Sequence, residues 1–419
     1  MLKKILYKLT KKQGETSTHL IKTFFVYGFF TLAVLGSRVL IARLYGQESL
    51  GIFTYFFSLV SLVFLFTSFG LPEAITQTIV KDPSKLKSLW KYYLPLITLT
   101  TIIFTIVTVG ITSYFNLNPA LSYFNLAVIV YLIIYTLFYT NYSIFRGYKK
   151  FVLGSAYSLI GRVLFIVFLI IAYLLSWKII SLLFLLSLSL LIVSLLALPQ
   201  LIKLAVKAKT QVNLKKFLHL AFSLFLMQVG FYSLRFISEI VIGYLVDFQS
   251  LGLYSAHSSI TNTVRLVAYV FPVVVLPMAV ISKFKLKSSL RKILSLLIPF
   301  SLVVLMAAYI FVPLFYGVEY KSQNLPLALV FSSTLLVIYS YLNSVLVGEN
   351  KFSKFYLKII GFDFVLSLLV NTLLNIWLVL KWGIIGAPIA TAITILLKIG
   401  LNLYGIKKMR QERVVSGKI

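Results

Sequence analysis

Cysteine does not occur among the 419 residues, which excludes disulfides, iron–sulfur clusters and thiolate metal sites and leaves the redox compartment open. There are three histidines, His19, His219 and His257; they lie far apart and no HExxH occurs, so the ligands of a metal hydrolase are missing. No GxxxxGK(S/T) loop is present, so the chain has no P-loop with which to hydrolyse ATP. Neither a cofactor nor a resident metal is expected. Charged residues make up 12% of the chain, against about 25% in soluble domains, and acids are scarcest, with 10 Asp and Glu facing 40 Lys and Arg.

Hydrophobic residues fill the remaining space, at 60% of the chain and a mean hydropathy of +0.98. Apolar runs of twenty residues or more recur with short polar interruptions, long enough at about 1.5 Å per residue to cross a hydrocarbon core of about 30 Å. Helices are required: "LLFLLSLSLLIVSLLAL" (182–198) is apolar on every face, whereas a barrel strand would alternate. The pattern predicts an all-α polytopic membrane protein with twelve spans, near 19–45, 50–80, 92–114, 121–145, 151–175, 179–202, 217–245, 250–281, 293–315, 326–348, 355–380 and 383–406.

The formal charge of +30 would suggest nucleic acid in a soluble chain, but its distribution points elsewhere. Basic loops alternate with nearly uncharged ones. Three cations, Lys178, Lys321 and Lys381, fall on one side, six fall within spans, and the other 31 fall on the opposite side with both termini. The positive-inside rule places that side, and both termini, in the cytoplasm of a cell-membrane protein, and no nucleic-acid partner is expected. Residues 1–18 set Leu2, Ile5, Leu6 and Leu9 on one face among lysines, as in a basic amphipathic segment on membrane lipids. The first apolar segment is too long for a cleavable signal peptide.

The chain nearly repeats itself. "SLGIFTY" (49–55) returns as "SLGLYSA" (250–256), an offset of 201 residues, and the match extends over 39–53 against 240–254 and over Gly147, Lys150 and Phe151 against Gly348, Lys351 and Phe352. Six spans per repeat return the chain to its starting side. The expectation is two pseudo-symmetric six-helix lobes, 19–210 and 211–419, related by an axis along the membrane normal, as in transporters that work by alternating access.

"SRVLIARLYGQESLGIFTYFFSLVSLVFLFTSFGLPEAI" (37–75) resembles the first two spans of polysaccharide flippases of the Wzx type, in the multidrug/oligosaccharidyl-lipid/polysaccharide (MOP) superfamily. "RFISEIVIGYLVDFQSLGLYSAHSSI" (235–260) resembles their seventh and eighth spans. The resemblance implies a two-lobe MOP, or MATE-like, fold with spans 1, 2, 7 and 8 lining a cavity. It also implies outward flipping of polyprenyl-diphosphate-linked saccharide.

Charges within spans are costly, at least about 2.5–3.5 kcal/mol each, and therefore informative. Arg38, Glu73, Arg162, Arg235, Glu239, Arg265, Asp363 and Lys398 qualify; Arg43, near a span end, can snorkel to the headgroups. Helical spacing aligns Gln228, Tyr232, Arg235 and Glu239; Ser258, Asn262, Arg265 and Tyr269; and Asp363, Ser367, Asn371 and Asn375 into three polar stripes. The plain alternative is internal glue, with Arg235 and Glu239 neutralising each other at i, i+4. The repeat offset carries Arg38 onto Glu239 and Arg162 onto Asp363, which suggests pairing across a cleft. Five bases against three acids select an anion, and arginine suits a diphosphate because its planar fork stays charged when desolvated.

The candidate substrate contacts are Arg38, Arg162, Arg235, Arg265, Lys398 and Asn262, and the coupling or gating residues Glu73, Glu239 and Asp363. Glu73 follows Pro72, read as a helix kink beside which a carboxylate could take H+ or Na+. His257 is read as a local hydrogen-bonding residue, and the glycosylation sequon "NYS" at Asn141, at a span end near the cytoplasmic loop, is read as inert. Partners are a lipid-linked anionic saccharide, membrane lipids and polysaccharide assembly proteins. The rival readings are a multidrug cation exporter, a membrane glycan polymerase and a scaffold. An exporter would want an acidic or aromatic cleft, and a polymerase a longer outer loop than "YGVEYKSQNLP".

Overall fold

In a computed structural model, residues 14–114, 123–205, 213–281, 286–350 and 354–415 are described. The amphipathic segment expected at 1–18 lies outside them except for its last positions, as do Lys351 and Phe352 of the repeat. Thirteen helices follow one another among the described residues: α1 (Gly14–Ser68), α2 (Leu71–Lys81), α3 (Leu86–Tyr114), α4 (Phe124–Gly147), α5 (Phe151–Leu174), α6 (Ile179–Ala205), α7 (Leu214–Leu245), α8 (Phe248–Ile281), α9 (Leu286–Phe315), α10 (Leu325–Asn350), α11 (Lys354–Val365), α12 (Asn371–Trp382) and α13 (Gly386–Val415). No strand occurs among the described residues.

Among the described residues, nine stretches are long and apolar enough to cross a membrane, against the twelve spans expected over the whole chain, and two are compound. Gly28–Ser68 contains Gly46, whose φ of 88° is open to glycine and breaks α1 into two arms; Lys358–Met409 contains the break at Gly383. Large apolar side chains such as Ile106, Leu296, Val303, Met306 and Leu373 stand exposed, as a face toward lipid requires. Some hydroxyls inside the spans bond back to their own helix: Thr101 donates to the Ile97 carbonyl at 2.6 Å and Thr108 to Phe104 at 2.6 Å, whereas the buried Thr105 hydroxyl has no partner among the described residues.

The chain forms two compact units. One contains residues up to Ile41 and Val63–Phe225, the other Ala42–Leu62 and Leu226–Ile419. Residues 42–62 of α1, on either side of Gly46, thus belong with the second half of the chain, whereas a cut by repeats falls at 210/211. In the first unit the core is built from Leu71, Ile75 and Ile79 of α2, Leu89 and Tyr93 of α3, Phe145 of α4, Leu201 of α6 and Ala221 of α7. In the second, Val264 and Ala268 of α8 meet Leu336, Val337 and Tyr339 of α10, and a further cluster joins Val345 and Leu346 to Ile360 and Ile406.

Span 2 breaks where proline was expected to kink it, but by another device. Phe69 (φ 46°) and Gly70 (φ 67°) turn the chain in the left-handed region, and Pro72 sits in the first turn of α2, where its missing N–H costs nothing. A Cβ on Gly70 would overlap the Ala221 carbonyl, so glycine is also required by the close approach of α7. Beyond α2, Asp82 accepts from the Ser84 hydroxyl and N–H and pairs with Lys85, contacts that hold its carboxyl below the usual range.

Candidate functional site

In the second unit, α7 presents Arg235 and Glu239 on one face. The Arg235 Nε donates to Glu239 Oε1 at 2.9 Å; Glu239 is fully buried and its other oxygen accepts from the Ser58 hydroxyl. The i, i+4 neutralisation is therefore present. Tyr254 of α8 lies within electrostatic reach of Arg265, Glu239 and Arg235, so two arginines and one acid gather around it. Arg265, also buried, donates from Nε to the Ser333 hydroxyl of α10 at 3.1 Å. Asn262 is partly buried on the same face of α8 as Ser258 and Arg265.

A second polar group of this unit is buried. The Lys398 ammonium of α13, fully buried, donates to the Gly230 carbonyl at 2.5 Å and the Ser367 hydroxyl at 2.8 Å, and meets Asp363 Oδ2 at 3.2 Å. It lies 4.3 Å from the centre of the Tyr339 ring, and the Tyr339 hydroxyl donates to both Asp363 oxygens at 3.0 Å. A Cβ at 230 would stand 2.6 Å from Asp363 Oδ2, so a larger residue there would displace the carboxylate. The stripe continues through a π-helical turn, Leu366–Val370, the kind of local widening that re-aims side chains. Ser367 donates to the Gly230 carbonyl at 2.7 Å, Asn375 to the Asn371 carbonyl at 2.7 Å, and Thr394 to Asn371 Oδ1 at 3.3 Å. Lys398 and Asp363 are thus bonded to one another, each on a different helix.

In the first unit, Glu73 occupies the first turn of α2, where an acid complements the helix dipole. Tyr139 donates to its Oε1 at 2.7 Å, and its Oε2 is buried with no hydrogen-bond partner among the described residues. Arg38 is buried on the inner arm of α1. Arg162 is partly buried, its guanidinium 5.7 Å from the Phe165 ring and in electrostatic reach of Tyr131 and Tyr135. These tyrosines belong to a ladder on α4: Tyr131 stacks on Tyr135 at 5.3 Å, Tyr135 meets Tyr139 at 5.9 Å, and Phe64 stands edge-on to Tyr135 and Tyr139 at 4.6 and 5.1 Å. The ladder joins the surroundings of Arg162 to those of Glu73. Its signal was present as tyrosines at i, i+4 and i+8.

His257 Nε2 meets the Tyr320 carbonyl at 2.8 Å, and the buried Asn141 amide donates to the Ser194 carbonyl at 3.3 Å. Exposed Arg43 reaches the carbonyls of Phe315 and Leu314 at 2.7 and 2.8 Å, a cation on the C-terminal end of α9. No group of three or more metal-ligating side chains occurs among the described residues.

A family model described as polysaccharide biosynthesis protein matches residues 20–285, more than half the chain. No curated protein matches it. Among solved structures, the lipid II flippase MurJ in an inward closed conformation is 20% identical, with 93% of this chain and 87% of that one covered and a TM-score of 0.67. An inward-facing multidrug resistance MATE family transporter of the MOP superfamily is 16% identical over 91% and 95%, at 0.63. A MOP superfamily transporter from Pyrococcus furiosus, described as having a binding pocket of reverse polarity, is 16% identical over 94% of each chain, at 0.53. At these identities the likeness is one of fold. With apolar helices throughout, the chain is a multi-pass membrane protein that shares the MOP-superfamily fold and belongs to the polysaccharide biosynthesis protein family.

Proposed function

We propose that the protein is a flippase that carries a polyprenyl-diphosphate-linked oligosaccharide from the cytoplasmic to the outer leaflet of the cell membrane by alternating access, with both termini cytoplasmic. The observation that carries this reading is the imbalance of charge among groups set within the spans. Lys398 and Asp363 are bonded to each other, so we assign Lys398 to Asp363 rather than to substrate. What is left is Arg38, Arg162, Arg235 and Arg265 against Glu239 and Glu73, a surplus of guanidinium that favours an anion. Each fork offers paired donors to phosphate oxygens, and Asn262 adds a neutral donor beside Arg265. The tyrosine ladder next to Arg162 offers amphipathic rings and hydroxyls to sugar. Membership of a polysaccharide biosynthesis family and the MurJ-like fold support the same cargo.

Glu73, with one buried oxygen unpartnered among the described residues, is the proposed site for H+ or Na+, and Glu239 and Asp363 are the proposed gating residues. A diphosphate leaving a negative-inside cell also moves down the electrical gradient, gaining about 2.3 kcal/mol per charge per 100 mV. A cation exporter, the second reading that the MATE-like fold admits, is disfavoured by the same surplus. The test is transbilayer movement of a fluorescent polyprenyl-diphosphate oligosaccharide in proteoliposomes. Movement that depends on the protein and is lost in Arg235→Ala supports the proposal; export of a cationic dye with no movement of the lipid-linked sugar overturns it.

A further inference from the structure

The end of α12 carries a cation set between two aromatic rings. The Lys381 ammonium lies 5.6 Å from the centre of the Trp377 ring and 5.7 Å from that of Trp382, both within cation–π range. Trp377 and Lys381 meet because they stand four residues apart on one helix, and Trp382 joins them where the helix ends. Two glycines fix that ending. Gly383 turns the chain at φ 60°, and a Cβ on Gly386 would overlap the backbone of Leu378 and Val379. A cation in the last turn of a helix complements the dipole, which accounts for Lys381 and for neither ring. No ion pair among the described residues involves Lys381, so its charge has no carboxylate to answer it.

The helix divides by face. Asn371, Asn375, Leu378 and Val379 are buried, whereas Leu373, Ile376, Trp377, Leu380, Lys381 and Trp382 are exposed. The exposed face is apolar from Leu373 to Leu380 and ends in the ammonium and the two indoles. At about 1.5 Å per residue the rise from Leu373 to Lys381 is about 12 Å, close to the roughly 15 Å of hydrocarbon in one leaflet. The face therefore runs in the order of a phospholipid, with leucines along a chain and a cation at the phosphate. The indole rings are 58% and 49% exposed, and each carries an N–H that can donate to a phosphate oxygen at headgroup level. Lys381 is also one of three cations assigned to its side of the membrane, so an anionic headgroup there has few other partners.

We propose that Lys381, Trp377 and Trp382 bind the phosphate of an anionic phospholipid in the leaflet opposite the basic loops, with an acyl chain of that lipid along Leu373, Ile376 and Leu380. The bound lipid ties the end of α12 to the membrane interface at the turn into α13. The site does not depend on what the protein carries; only the identity of the leaflet rests on the topology proposed above.

Replacing Trp90 and Trp177 by Phe leaves Trp377 and Trp382 as the two tryptophans of the chain. The full-length variant is placed in vesicles of phosphatidylcholine and phosphatidylglycerol, with bromine on the upper acyl chain of one lipid or the other. Quenching by brominated phosphatidylglycerol exceeds that by an equal fraction of brominated phosphatidylcholine at least twofold. The excess disappears in Lys381→Gln, is kept in Lys381→Arg, and is unchanged in Lys178→Gln, which removes another cation of the same side. Equal quenching by the two lipids, or an excess that survives Lys381→Gln, overturns the proposal. Loss of the excess on adding a trace of polyprenyl diphosphate gives the site to the cargo and overturns it as well. Should the tryptophan replacements not accumulate in the membrane, the difference in quenching between the parental protein and Lys381→Gln decides.

Discussion

Replacing Lys398 by Met removes one fully buried ammonium and leaves three groups short of a donor: the Gly230 carbonyl at 2.5 Å, the Ser367 hydroxyl at 2.8 Å and Asp363 at 3.2 Å. Ser367 keeps its own bond to Gly230, and Asp363 keeps the Tyr339 hydroxyl, which must serve both carboxylate oxygens. Breaking one side of a buried ion pair costs about 3–5 kcal/mol, most of it the penalty of leaving the other charge uncompensated. Asp363→Leu does the reverse and costs a similar amount. Lys398→Met/Asp363→Leu removes both charges at once, and buried pairs replaced by apolar groups of similar volume are often neutral in stability. The double variant is therefore more stable than either single variant, with a coupling above about 2 kcal/mol. The assay is unfolding in mixed micelles titrated with SDS, followed by the fluorescence of the four tryptophans. Single variants as stable as the parent, or a double variant whose loss equals the sum of the singles, refute the reasoning.

Three further outcomes follow from the same geometry. Gly230→Ala places a methyl 2.6 Å from Asp363 Oδ2 and costs about 1–3 kcal/mol in the same titration, whereas Gly110→Ala, in open space, is neutral or gains up to about 1 kcal/mol from helix propensity. Arg265→Lys keeps the charge but loses the planar fork, and weakens binding of a polyprenyl diphosphate about tenfold in a fluorescence competition assay, corresponding to about 1.4 kcal/mol. Glu73→Gln removes the titratable group in the first turn of α2; flipping in proteoliposomes loses its response to an imposed ion gradient, and a retained response discards the coupling role.

Where a feature depends on helical period, the sequence was a sufficient guide. The stripe Asp363, Ser367, Asn371 and Asn375 was read from spacing alone, because a helix offers no choice about which residues share a face. Its partners could not be read. Gly230 contributes a carbonyl and an absent side chain, neither of which has a signature, and Tyr339 is one tyrosine among 26. Pairing was anticipated between repeat-related residues, yet Asp363 is held by Lys398 and Glu239 by Arg235 and Ser58, contacts that depend on how helices pack and not on the repeat. Pro72 drew attention to the break in span 2, but Phe69 and Gly70 make the turn, since proline in a first helical turn fits without distortion. Residues 42–62 joined the second unit for a similar reason: compactness follows side-chain bonds such as Thr54–Ser255, and chain order does not record them.

The central claim is that guanidinium groups within the spans select a diphosphate headgroup. Equilibrium binding of polyprenyl diphosphate, polyprenyl monophosphate and neutral polyprenol to the purified protein in detergent tests it most directly. The account predicts an affinity order of diphosphate over monophosphate over alcohol, with at least tenfold between the first and last, and a gap that closes when Arg38, Arg162, Arg235 and Arg265 are replaced by Gln. Equal affinity for the three lipids, or an order unchanged by loss of the arginines, would contradict it.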